Sequence, residues 1–173
     1  MDFRGADLMA ADFTEAWLSG SNFSDVNLEN VILWGAHCED ARFCRGNLRS
    51  VDLVKAHIDR ADFSNACMAD ANLRRVECAG AKFTDADMRN SIFGNASFMR
   101  SDMRGADLRS CSVTMTAFTD VNFVDAKVTG MTGTIIGSLI VRDGEGVVDL
   151  EGSHLEDWFR RNGAHVSVVP TVD

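Results

Sequence analysis

Residues 1–25 read MDFRGADLMAADFTEAWLSGSNFSD, and the register that Phe3 sets in this stretch runs unbroken to Gly130. Steps of five from Phe3 reach Leu8, Phe13, Leu18, Phe23, Leu28, Leu33 and Cys38, and continue to Phe118, Phe123 and Val128. Every position reached is apolar. Two residues before each centre stands a small residue, most often Ala (Ala6, Ala11, Ala16, Ala36, Ala41, Ala56, Ala61) and otherwise mainly Val or Ser. Between the two, Asp or Asn is common, as at Asn22, Asn27, Asn47 and Asn72. A fixed internal period is the signature of a stacked repeat architecture.

The period excludes both ordinary elements. A helix turns about 100° per residue, so five residues leave each apolar position ~140° from the last and no apolar face forms. A long strand alternates with period two, so an odd spacing would flip the face at each repeat. Short extended segments joined by corners satisfy the pattern. The small residue and the centre point inward, the Asp or Asn between them points out, and the last two residues turn the chain.

The aromatic residues set the number of sides. At spacing twenty the centres read Phe3, Phe23, Phe43, Phe63, Phe83, Met103 and Phe123, a core ladder, whereas spacings of fifteen and twenty-five give mixed columns. Four pentads therefore close one coil. With a rise of about 4.8 Å, the repeat makes a rod roughly 31 Å long.

Ala6-Asp7-Leu8, Ala11-Asp12-Phe13, Ala61-Asp62-Phe63, Ala71-Asn72-Leu73 and Ala106-Asp107-Leu108 resemble the A-(D/N)-L-x-x pattern of the pentapeptide-repeat family. The resemblance implies an all-β fold, a right-handed quadrilateral β-helix, here over residues 1–130; residues 131–173 read as a small C-terminal strand/helix cap. The handedness comes from the family and not from the spacing.

Beyond Val128 the register fades. Ile135–Val141 is β-prone, Asp143-Gly144-Glu145-Gly146 signals a turn, and Val147–Leu150 reads as a second strand. Ser153 with Glu156 predicts a capping box opening a short helix. Leu155, Trp158 and Phe159 share one face of it, Arg160 and Arg161 suit its negative end, and Gly163 is its expected stop. His165–Val169 is a last strand. The segment is expected to cover the final coil, as solenoid caps do. Leu155, Trp158 and Phe159 are open to two uses, packing on that coil or meeting a second chain. The stretch from Leu155 to Val166 is similar to the end of quinolone-resistance and topoisomerase-poison-immunity members of the family. That resemblance implies a tail-to-tail homodimer.

Net charge is −9, and it is uneven. Residues 1–40 carry −7, residues 41–119 carry +3 and residues 120–173 carry −5. An acidic total disfavours direct nucleic-acid binding, which depends on neutralising phosphates, and suits a basic partner surface. No run approaches the ~18 apolar residues of a membrane span. The start Met1-Asp2-Phe3 is unlike a secretory signal. Five scattered cysteines form no disulfide or metal framework and suit a reducing compartment, so a cytoplasmic location is expected. The first coil's edge is expected to be exposed or paired, with Asp2, Asp7 and Asp12 guarding it.

Two exterior columns are candidate sites. Trp17, His37, His57 and Glu77 lie at spacing twenty and hold ligand-type groups. A flat wall gives them no enclosed cavity, so no metal is assigned. Arg49, Arg89 and Arg109, with Arg45, Arg60, Arg100 and Arg104 nearby, form either a recognition stripe or a solvated face paired with neighbouring Asp; the second is favoured. No GxSxG, P-loop or HExxH occurs, and the filled interior leaves no room for a substrate, so neither catalysis nor a cofactor is expected.

The family resemblance implies a non-enzymatic DNA mimic that engages DNA gyrase or another type II topoisomerase and modulates the action of topoisomerase poisons. Asp2, Asp7, Asp12, Asp62, Asp87, Asp102 and Asp107 are its candidate partner-binding residues. The alternative is a scaffold with another protein partner. A continuous acidic stripe would favour the mimic, and alternating signs the scaffold.

Overall fold

A computed structural model describes residues 1–169. The chain winds into a right-handed square coil of four walls, and from Asp2 up to Ser112 the residue preceding each centre pairs in parallel with the residue twenty positions on. Asp2 pairs with Asn22, Asp7 with Asn27, Asp12 with Ile32 and Trp17 with His37, and the pattern repeats up the rod. The centre N–H of Phe3 donates to the Asn22 carbonyl at 2.8 Å, and Asn22 N–H donates back to Met1 at 2.8 Å. These bonds fix the coil rise. Four pentads per coil is therefore the observed geometry.

The expected ladder occupies the interior. Phe3, Phe23, Phe43, Phe63 and Phe83 stack face to face with centroids 4.5–5.1 Å apart. Phe23, Phe43, Phe63, Phe83, Met103 and Phe123 are fully buried, and Phe3 is half-buried. Leu, Ile, Val, Met and Cys from the other walls, with Phe93, Phe98 and Phe118 in the upper coils, fill the rest. At three small-residue positions a Ser, Thr or Cys in place of Ala bonds to a carbonyl of the preceding coil. Ser91 donates to Met68 O at 3.0 Å, Thr116 to Phe93 O at 2.7 Å, and the Cys111 thiol to Met88 O at 3.0 Å. Among the described residues no buried side-chain N or O atom lacks a partner.

The corners hold two features that the apolar period does not reveal. Every fifth residue from Gly5 to Gly130 has positive φ, and the non-glycine ones lie between 51° and 64°. Most corners also close with a bond such as Ala6 N–H to Phe3 O, at 3.0 Å. That combination defines a type II turn. Gly, Asn and Asp tolerate this conformation best, and they recur at 20, 25, 30, 35 and 40. The outward Asp or Asn also has a structural duty. Its Oδ1 accepts the N–H two residues on, as from Arg4 to Asp2 (3.1 Å), Ser24 to Asn22 (3.1 Å) and Ser64 to Asp62 (3.0 Å).

The fourth wall changes character part-way up. Its lower rungs are single-residue bridges, whereas β1 (Glu77–Ala79), β2 (Ser97–Met99) and β3 (Thr116–Asn122) run as parallel strands. Asp59 marks the junction by accepting the Ala79 N–H at 2.7 Å.

The cap is built on β4 (Thr132–Asp143), which lies parallel to β3 with an irregularity between Phe118 and Val121. β4 turns back through Gly144 into antiparallel β5 (Gly146–Leu150). After α1 (Gly152–Arg161), β6 (His165–Val169) returns parallel to the first half of β4. The expected capping box is absent. The N-cap is Glu151 without a side-chain bond. Glu156 instead accepts the Val168 N–H of β6 at 2.7 Å, because an edge strand beside the helix offers that donor. The helix stop is as expected: Gly163 has φ 75°, with Ala164 N–H to Phe159 O at 2.9 Å and Gly163 N–H to Arg160 O at 3.2 Å. This is a Schellman motif. Leu155, Trp158 and Phe159 all turn inward, and the Trp158 indole donates to Arg142 O at 2.9 Å.

Candidate interaction surface

With the interior filled, chemistry is confined to the outer walls. The candidate carboxylates lie on three separate columns. Asp2, Asp62 and Asp102 share the first wall, Asp7, Asp87 and Asp107 the second, and Asp12 stands on the third. The first column reads Asp2, Asn22, Arg42, Asp62, Lys82, Asp102, Asn122, so its signs alternate. Among the described residues these columns form no continuous acidic stripe.

Four of these carboxylates are held by an arginine two residues on. Asp2 pairs with Arg4 at 2.7 Å, Asp87 with Arg89 at 2.7 Å, Asp102 with Arg104 at 2.6 Å and Asp107 with Arg109 at 2.6 Å. In each pair both side chains straddle one inward residue, so both point outward side by side. The Asp-x-Arg spacing was visible in the sequence and signals this contact. Arg4 hydrogen bonds pull the Asp2 carboxyl down to about 2. Arg89 and Arg109 lower Asp87 and Asp107 in the same way. At Asp102 burial pushes up, but the Arg104 hydrogen bonds and charge prevail and the net direction is down. Asp12 is lowered by the Thr14 hydroxyl and amide. Asp7 accepts from the Met9 N–H and Asn27 Nδ2, both at 3.3 Å.

The arginine column is likewise paired. Arg49 meets Asp70 at 2.8 Å. At the corners Arg45 forks onto Asp25 and Arg60 onto Asp40, each one coil away and 2.7 Å at closest. Arg100 stands 3.7 Å from Asp120. A shallow depression of about 600 Å³ on the first wall is lined by Arg42, Asp62 and Lys82 and bordered by these corner pairs.

Trp17, His37, His57 and Glu77 do form one column. The Trp17 and His37 rings stack at 4.1 Å and 10°, and His37 stacks on His57 at 4.9 Å and 6°. His37 Nδ1 lies 3.3 Å from Glu39, and His57 Nδ1 lies 3.3 Å from Glu77. Stacking turns the ring faces toward each other rather than aiming nitrogens at a common point. Among the described residues no three His, Cys, Asp or Glu converge on a metal position. Burial pushes the Cys38, Cys78 and Cys111 thiols up to about 12, which removes them as nucleophiles near neutral pH.

The family model for pentapeptide repeats matches in eight copies, across residues 1–25, 21–58, 47–77 and 77–114, and the chain belongs to that family. Among solved structures, the fold is similar to trypsin-treated QnrB1, a plasmid-mediated fluoroquinolone resistance protein. The TM-score is 0.61 at 16% identity, over 98% of this chain and 88% of that one. A pentapeptide repeat protein from the Arabidopsis thaliana thylakoid lumen is 31% identical over 61% of this chain and 66% of its own, with TM-score 0.32. HetL, involved in heterocyst differentiation regulation in the cyanobacterium Nostoc, is 21% identical over 75% of this chain and 79% of its own, with TM-score 0.24. No curated protein matches the chain.

Proposed function

We propose that this protein is a non-catalytic binding module that engages a basic protein surface through its acidic N-terminal coils. DNA gyrase or a related type II topoisomerase is the partner this reading names first. The observation that carries it is the filled interior beneath flat walls, with −7 of charge in residues 1–40. A surface evolved to hold DNA is basic, and an acidic rod complements it. The resemblance in fold to a fluoroquinolone resistance protein adds support. Purified gyrase tests it: supercoiling of relaxed plasmid, and fluoroquinolone-induced cleavage, should both change at micromolar protein. Unchanged supercoiling and cleavage would remove the topoisomerase partner.

One observation favours a second reading, a scaffold for another protein. Arginines neutralise the second-wall carboxylates and cations interrupt the first column, which departs from the uniform charge of a duplex.

The C-terminal segment is the proposed homodimer surface. With Leu155, Trp158 and Phe159 turned inward, exposed apolar side chains for a second chain there are Val147 and Val148 on β5 and Val169 on β6. The proposed location is cytoplasmic.

A further inference from the structure

We infer that the corner between the third and fourth walls of the first two coils is a receptor for an arginine side chain on the partner. The inference rests on the protein-binding reading and names the chemistry of the contact. Trp17 is 76% exposed, more than any other large apolar residue described. Its indole is nevertheless held in place, stacked on His37, which is stacked on His57. An ordered, exposed indole gives contact area without the entropy of freezing a mobile side chain. Around the corner at Gly35, Trp34 and the partly exposed Ile32 extend the apolar surface. The depression between the two indoles holds about 420 Å³, room for one long side chain.

Charge selects the occupant. Lys55 already places its ammonium 4.9 Å from the Trp34 centroid, so one indole face in this notch is holding a cation. Trp17 has no such cation over it among the described residues. Asp12 and Asp52 stand one coil below and above Ile32, and Glu15 lines the notch. None of these three carboxylates is in an ion pair among the described residues, unlike the arginine-held ones on the second wall. An exposed indole in a notch lined by the unpaired Glu15, with Asp12 and Asp52 on the adjoining wall, suits a guanidinium. That group stacks on aromatic faces and forks onto carboxylates, whereas an ammonium does neither as well. Trp and Arg are also the residues most enriched at interface hot spots.

The test titrates the full chain with an N-acetylated, C-amidated peptide of alternating arginine and glycine, with its lysine counterpart, and with adenosine monophosphate. The indole N–H resonances are followed by NMR. The arginine peptide should shift Trp17 and Trp34 and leave the buried Trp158 unmoved. It should bind at least threefold tighter than the lysine peptide and lose at least fivefold in affinity to Trp17→Ala. Equal affinity for the two peptides, or no loss in Trp17→Ala, would reduce the notch to diffuse charge attraction and overturn the inference. So would adenosine monophosphate binding as tightly at the same signals. No topoisomerase is present, so a negative supercoiling assay and a negative peptide titration are separate results.

Discussion

Asp59 accepts the backbone N–H of Ala79 at 2.7 Å, across one coil, where the fourth wall changes from single bridges to β1. Below this point the backbone N–H that an outward Asp or Asn accepts belongs to its own pentad; here a carboxylate accepts a backbone N–H from the coil above. Asp59→Ala leaves that amide without its acceptor and should lower stability by about 1–2 kcal/mol. Asp59→Asn keeps an Oδ1 acceptor and should lose clearly less. Urea unfolding of both variants decides the matter; equal losses would mean that the carboxylate acts through charge alone.

Gly137 lies in β4 with φ 110°, and a Cβ there would collide with the Phe118 carbonyl oxygen. Gly144, at the β4–β5 turn, has φ 63° and open space around it. Gly137→Ala should therefore cost upward of about 2 kcal/mol, and Gly144→Ala about 1 kcal/mol, the left-handed penalty alone. Thermal melts of the two variants side by side should show that order.

Acid should weaken the fold in a defined direction. The Asp2, Asp87 and Asp107 carboxyls are lowered by their arginine bonds, and Asp12 by Thr14. A lowered folded value means stability that is present above the unfolded value of about 3.9. It is lost as pH falls through the folded values, down to about 2 for Asp2. The urea midpoint should fall between pH 5 and pH 2.5, and the combined change Arg89→Ala and Arg109→Ala should flatten that slope. The arginine of each pair is exposed to solvent, so 0.5 M salt should shrink the effect.

Val148→Glu tests the proposed dimer without disturbing the cap, because Val148 is exposed on β5. A dimer by light scattering should become a monomer with an unchanged melting temperature. Trp158→Glu, by contrast, places a charge among Leu155, Phe159 and the last coil, and should unfold the cap. A wild type that is already monomeric removes the dimer.

The rod was legible because Phe3, Phe23, Phe43, Phe63 and Phe83 repeat at an interval that only a square coil stacks. The left-handed corners were legible in principle, since Gly20, Asp25, Asn30, Gly35 and Asp40 mark them, but the apolar period draws attention to the inward residues. The change in the fourth wall was not. Cys78 and Phe98 look like any other centre, and the difference lies in hydrogen bonds to the neighbouring coil. Glu156 shows why the sequence pattern does not fix the helix start. A local motif predicts a local bond, and β6, distant in sequence until the chain folds, supplied a better one. At the surface, the Asp-x-Arg pairs were written in the spacing, whereas the notch at Gly35 joins Trp17 to Trp34 across a coil boundary.

One positive-φ residue at each quarter turn has a bearing on how such a gene can grow or shrink. Excising five residues would rotate everything downstream by ninety degrees, setting the fourth wall's rings above the third wall's Asp column. Excising twenty, such as 43–62, would instead lay Phe63 directly on Phe23 and leave each wall facing the same way. Length in this molecule is therefore quantised in whole revolutions, and unequal crossing-over between neighbouring revolutions is a change the fold can absorb.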